Sequence, residues 1–146
     1  MQLAQLFVDF FALQTESRRH DLIPCICDAV KAHMALDAEI FYPHLAQATG
    51  DALVARSAAA EYVAAKDFLE ELAHPDPADD QFVEHVHRLA TMVSNHIREA
   101  EKPDGAFATA LRSDMDCAAI GHLLRRRQRE CMFDQARRGV SWLSAI

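Results

Sequence analysis

The chain has 146 residues, of which 51% are apolar, and it contains only four glycines. This length and composition fit one domain that buries its own core, and the abundance of alanine without alternating β-branched runs predicts helices. The net charge of −7 combines an acidic region up to Leu111 with a basic region from Arg112 onward. An acidic body argues against a nucleic-acid partner.

The first predicted helix runs from near Gln2 to Gln14 and is followed by a polar interruption from Thr15 to His20. Its apolar residues recur at helical spacing and predict one buried face. That face consists of Leu3, Phe7, Phe10 and Phe11.

The second predicted helix starts after an N-cap at Asp21 and ends near Ala48, where Gly50 provides a stop. Pro24 is tolerated in the first turn, whereas Pro43 removes a backbone hydrogen bond and predicts a bend between Glu39 and Pro43. Six residues of this helix are spaced four, three, four, three and four positions apart and therefore share one face, which we expect to be buried against the core. They are Ile26, Val30, His33, Asp37, Ile40 and His44.

The third predicted helix is capped by Asp51 and ends before the proline-rich loop that starts at His74. Its predicted buried stripe contains Val54, Ala58, Tyr62, Ala65, Leu69 and Leu72. The fourth opens at Asp79 or Asp80 and is stopped by Pro103, Asp104 and Gly105. Its predicted inward residues are Phe82, Val86, Leu89, Met92, Val93 and His96.

A last helix is predicted from Asp114 to Arg137, before an apolar tail that contains Val140, Trp142 and Leu143. Four helices joined by short loops predict an all-α, up-down-up-down four-helix bundle with an additional C-terminal helix, as one domain over residues 1–146. The basic run from Arg125 to Arg129 is either a solvated face or a docking surface for an acidic partner. The last helix carries the apolar residues Cys117, Ile120, Leu123, Leu124, Cys131 and Met132.

The chain shows neither the ~18 consecutive apolar residues of a membrane span nor a secretion signal, so we expect a cytoplasmic protein without membrane contact. No CxxC pair occurs, so reduced thiols are expected. The four cysteines are Cys25, Cys27, Cys117 and Cys131.

Two pairs of residues suggest a metal ion. His33 and Asp37 lie one helical turn apart, so both side chains can reach one ion, and burying them without partners is costly. His96 and Glu101 are about 140° apart on a regular helix, which suits a shared site only with a π-bulge or with two bridged ions.

Taken together, His33 and Asp37, then Glu39 and the Phe41-Tyr42-Pro43 segment, then His96 and Glu101, form a pattern that resembles the hemerythrin-like HHE cation-binding domain family. The resemblance implies a four-helix bundle that holds two non-haem iron atoms through imidazoles and bridging carboxylates. It also implies binding or sensing of dioxygen or nitric oxide, or iron handling.

The sequence departs from this pattern at several positions. The family's first-helix histidine would fall before Met1, and Tyr62 and Lys66 stand where the third helix should offer histidines. We therefore expect one or two iron atoms, since the incomplete ligand set leaves both open. The predicted ligands are His33, Asp37, His96 and Glu101, with Tyr62 as a phenolate candidate.

The alternative is a metal-free bundle that acts as an interaction or regulatory module. The two histidines would then hydrogen-bond Asp37 and Glu101, with Tyr62 as a donor and Lys66 supplying positive charge. A homodimer would form through the last helix and the tail from Val140 to Ile146. A third hypothesis is iron-dependent redox catalysis, but the sequence does not reveal the substrate pocket that this activity needs. No Ser-His-Asp arrangement or phosphate-binding loop favours another enzymatic activity.

Overall fold

The computed structural model describes residues 2–74, 76 and 80–137, residue 2 by its backbone alone. This part of the chain is helical and contains no strand. The elements are α1 (Gln2–Ala12), α2 (Glu16–Leu36), a π turn (Asp37–Phe41), α3 (Tyr42–Thr49), α4 (Ala52–Ala73), α5 (Phe82–Glu101), α6 (Ala106–Arg112) and α7 (Cys117–Arg137). No helix in these ranges is long and apolar enough to cross a membrane.

The second helix begins earlier than predicted. Thr15 occupies the N-cap position and α2 starts at Glu16, so the polar stretch up to His20 is helical rather than a break. Glutamate and arginine are good helix formers, and this preference outweighs the lack of apolar residues in the stretch. Pro24 consequently lies inside α2 instead of in its first turn.

The predicted bend near Pro43 takes the form of a π turn over Asp37–Phe41. The backbone N–H of Tyr42 donates to the carbonyl of Asp37, five residues earlier, which is the wide-turn hydrogen bond. Pro43, which has no backbone N–H to donate, then lies in the first turn of α3. The helix ends at Gly50, whose φ of 74° is the left-handed conformation expected of a C-terminal stop.

The main core lies where α1, α2, α4 and α5 pack together. Its most deeply buried large side chains are Phe10, Ile23, Ile26, Leu69, Leu89, Val30, Val86 and Cys27. Two residues expected inside are exposed, namely Phe11 and Met92. Phe11 lies at the edge of the α1 face, where its ring contacts both Phe10 and His87.

A second, smaller core cluster contains Phe41, Leu45 and Ala110. Ala110 belongs to α6, a short helix that the sequence did not predict because Pro103 and Gly105 indicated only a loop. Gly105 is required there, since a Cβ at this position would lie 2.6 Å from the carbonyl oxygen of Ala100. The close approach lets α6 fold back against the end of α5.

The last helix, α7, crosses α2 and the π turn. Gln135 Nε2 donates to the carbonyl of Asp28 at 3.1 Å, and Arg127 Nε donates to Glu39 Oε2 at 3.1 Å. The helix starts at Cys117 rather than Asp114 because the side chain of Asp116 accepts the backbone N–H of Ala119, as an N-cap does.

Two predictions at helix starts have different outcomes. The Asp51 cap is confirmed, since its Oδ1 accepts the N–H of Leu53 at 3.0 Å. The fourth helix begins at Phe82 rather than directly after Asp80. Asp79, as the other proposed start, and the apolar tail from Val140 to Ile146 lie outside the described residues.

Candidate metal centre

Two helices bring three of the predicted ligands together. His33 lies in the last turn of α2, and Asp37 is the first residue of the π turn. His96 lies in α5, five residues before the end of that helix. His96 Nε2 lies 2.8 Å from Asp37 Oδ2, and His33 Nε2 lies 3.6 Å from the same oxygen. One ligand atom from each residue falls within 4.8 Å of the other two. Among the described residues this is the one such group of histidine, cysteine or acidic side chains.

The imidazole of His33 is the least satisfied member of the group. Its Nε2 atom is buried and has no hydrogen-bond partner in the described structure. Burial lowers its pKa, and the attraction of Asp37 only partly opposes this effect. The ring is therefore kept in the neutral form in which histidine binds metals.

His96 has the opposite electrostatic environment. The hydrogen bond to Asp37 raises its pKa against the smaller effect of burial, and Glu61 contributes in the same direction. Glu61 Oε2 lies 3.9 Å from His96 Nδ1. In the metal-free chain His96 therefore tends to be protonated, and its positive charge takes the place of the charge that a metal ion would supply.

Tyr42 lies beside this group, a position that the sequence did not predict, since Tyr42 was noted only within the Phe41-Tyr42-Pro43 segment. Its ring centroid is 6.5 Å from that of His96. Burial, followed by the charges of Asp37 and Glu61, raises the pKa of Tyr42 to about 12. Tyr42 follows Asp37 by five residues, a spacing that places both side chains on one face only if a π turn lies between them.

Glu61 was also missed. It approaches the group from α4, a third helix, and no local spacing connects it with His33 or His96. Its side chain is 60% exposed, so its approach to His96 is looser than that of Asp37.

The structure does not bring Glu101, Tyr62 or Lys66 into the group. Glu101 is an exposed residue at the end of α5, which is a regular α-helix, so it points about 140° away from His96. The π turn that would have corrected this angle lies between α2 and α3 instead. Tyr62 and Lys66 line a separate polar groove with Arg127.

The separations from Asp37 to the two imidazoles are compatible with a shared metal ion. With bonds of about 2.1 Å, two atoms bound to one ion lie at most about 4.2 Å apart, and the separations of 2.8 and 3.6 Å are within this limit. Two imidazoles and one carboxylate are also a donor set used by non-haem iron, with positions left for other ligands.

The fold and this site define a helical protein with a His/Asp group suited to a metal ion. No family model, no curated protein and no solved structure matches the chain. Its functional assignment therefore depends on the geometry of His33, Asp37 and His96.

Proposed function

We propose that the chain is a hemerythrin-like protein that binds one non-haem iron atom through His33, Asp37 and His96. The proposal includes the up-down-up-down arrangement of four helices, with α7 as the additional C-terminal helix, and a cytoplasmic location. It is supported by the donor set, by the convergence of two helices on one point and by the sequence pattern around His33 and Phe41.

In this proposal each ligand has a distinct task. His33 and His96 bind as neutral imidazoles, and the carboxylate of Asp37 offsets part of the cationic charge. These three residues would leave coordination positions of a bound iron atom free for a diatomic molecule such as dioxygen or nitric oxide. Glu61 adds a second negative charge beside His96, and the protonated phenol of Tyr42 offers a hydrogen-bond donor at the same site.

The observation that carries the proposal is the buried Nε2 atom of His33. A buried polar atom without a partner costs about 1–3 kcal/mol, and a metal ion between His33 and His96 would remove that cost. The two rings make a T-shaped contact with centroids 6.0 Å apart, and the Nε2 atoms of both lie near the same carboxylate oxygen of Asp37.

The test is iron uptake by chain purified without a chelating tag. After anaerobic incubation with ferrous iron and dialysis, elemental analysis should find one iron per chain. His33→Ala and His96→Ala should each abolish uptake, and His87→Ala, an exposed histidine on α5, serves as the matched control. Iron content that is the same in all four proteins would contradict the proposal.

A second candidate is a metal-free interaction or regulatory module whose partner is a second copy of the chain. The observation that favours it is the 2.8 Å hydrogen bond between His96 and Asp37, which satisfies two of the three polar groups without any ion. In this case His33→Ala would change the free energy of unfolding and leave the metal content at zero in every variant.

A further inference from the structure

A cavity of about 590 Å³ lies between α2, α4 and α5, directly beside the candidate metal centre. Most of its wall is apolar and includes Met34, Ala64, Phe68, Leu89 and Met92. Small-molecule sites in proteins have volumes of about 300–1,000 Å³ and combine an apolar lining with a few polar groups. The cavity has these properties.

Apart from Arg88, the polar groups of the cavity are concentrated at one end. His33, His96 and Glu61 line it, and these residues lie close together. Phe68 follows Glu61 by seven residues and Leu89 precedes His96 by seven, so each lies about 10 Å further along its helix. The cavity therefore extends for about two helical turns from the histidines into apolar surroundings.

The charges around the cavity favour a neutral occupant. Asp37 and Glu61 together supply two negative charges near the histidines, which balance a divalent ion without help from a ligand. At the other end, Arg88 lines the cavity, but its Nε atom lies 3.8 Å from Glu84 Oε1. Neither end thus requires an anion.

We infer that this cavity binds a neutral, mainly apolar organic molecule with one nitrogen donor atom, which reaches the ion held by His33, Asp37 and His96 while its apolar body lies against Phe68 and Leu89. The position of the donor atom rests on the proposed function. The binding of the apolar body does not, because the cavity is formed by side chains of three helices without any ion.

The apolar part is tested on the metal-free chain with N-phenyl-1-naphthylamine, a neutral probe whose fluorescence rises on burial. Saturable binding of one probe per chain is expected. Ala64→Phe should weaken it by about tenfold or more by filling the cavity, whereas Ala60→Phe, on an exposed position of α4 outside the lining, should not. Absence of saturable binding, or equal affinity in the two variants, would overturn the inference.

Circular dichroism establishes that each variant is folded. If Ala64→Phe does not fold, Met92→Trp replaces it, because Met92 lines the cavity from α5 and is 55% exposed. Sedimentation of the same samples tests a different occupant. A wild-type dimer that Ala64→Phe converts to a monomer would show that a second copy covers the cavity, and would overturn the inference.

The donor atom is tested with cobalt(II)-loaded chain and 4-phenylimidazole. The probe should change the visible spectrum of the wild-type complex but not that of Ala64→Phe, which should load cobalt as the wild type does. Failure to load cobalt, with N-phenyl-1-naphthylamine still bound, would contradict the proposed metal site alone. Normal cobalt loading without binding of either probe would contradict the cavity inference alone.

Discussion

His96 donates a hydrogen bond to Asp37 over 2.8 Å, and the two residues are 59 positions apart in the sequence. This contact joins the C-terminal half of α5 to the junction between α2 and the π turn. The acceptor is a charged carboxylate, and hydrogen bonds to charged groups are stronger than those between neutral groups. The candidate site and the packing of these two helices therefore depend on the same carboxylate.

The two carboxylates predicted as ligands should behave differently when neutralised. Asp37→Asn should weaken metal binding by about 100-fold or more, because it removes a charged ligand rather than a supporting partner. Glu101→Gln should change binding by less than about twofold, since Glu101 is exposed and outside the group. Competition with a chelator measures both affinities. A larger loss in Glu101→Gln than in Asp37→Asn would contradict the structure.

The two tyrosines should also differ. Tyr42→Phe should weaken metal binding by about tenfold, because it removes a phenol close to His96, as loss of a supporting partner does. Tyr62→Phe should leave both the affinity and the visible spectrum unchanged, since Tyr62 faces the polar groove. Iron titrations of the two variants provide the comparison. Loss of a visible band only in Tyr62→Phe would restore the phenolate that the sequence predicted.

In the metal-free chain the two histidines should give opposite pH dependences of stability. The raised pKa of His96 provides stability below the ordinary value of 6.5 that is lost as the pH rises through the folded-state pKa. The lowered pKa of His33 provides stability above 6.5 that is lost as the pH falls through its folded-state pKa. Their joint contribution should therefore be greatest near pH 6.5.

Urea unfolding at a series of pH values checks this prediction. Relative to the wild type, His96→Gln should remove the decline on the alkaline side and His33→Gln the decline on the acid side. Taking differences from the wild type cancels the titration of groups that the substitutions leave alone. The same pH profile in both variants would show that the two imidazoles do not have opposite environments.

The cysteines should react at very different rates with iodoacetamide. Burial, followed by the charge of Asp28, raises the pKa of Cys27 to about 12, so that at pH 8 only about 10⁻⁴ of this thiol is the reactive thiolate. Cys117 is exposed and should be modified first. Peptide mass spectrometry over time resolves the two sites. Modification of Cys27 as early as Cys117 in the folded chain would be inconsistent with this packing.

Two glycine substitutions should change stability in opposite directions. Gly105→Ala should lower the free energy of unfolding by about 1–3 kcal/mol, because its Cβ would press on the carbonyl of Ala100. Gly121→Ala should raise it by up to about 1 kcal/mol, since Gly121 lies inside α7 and its Cβ would meet only the flexible end of Arg125 at 3.5 Å. Thermal or urea unfolding measures both. Equal effects would argue against the close approach at Gly105.

The sequence predicted what local spacing determines. His33 and Asp37 are close because they are four residues apart in a helical stretch, and the Asp51 cap and the Gly50 stop follow from their own chemistry. Helical content was predictable for the same reason.

Features that depend on contacts between distant segments were not predictable in this way. Glu61 reaches His96 only because α4 packs beside α5, and Tyr42 does so only because a π turn precedes it. The sequence suggested a π turn only at His96 and Glu101, as one of two ways to bring that pair to a shared site. The hydrogen bond lost at Pro43 predicted a bend, which the structure forms as a π turn.

The π turn determines which residues share a face along the continuous helical segment from Glu16 to Thr49. A wide turn accommodates one residue more than regular winding would, so the rows of side chains before and after it are out of phase. If the same residues were wound as a regular α-helix, everything downstream would rotate by about 100° about the axis, carrying Tyr42 away from His96 and Leu45 out of the smaller core. Deleting Ala38 should instead restore regular winding with little rotation, so the wide turn is what keeps the phenol beside the imidazoles while the chain holds this extra residue.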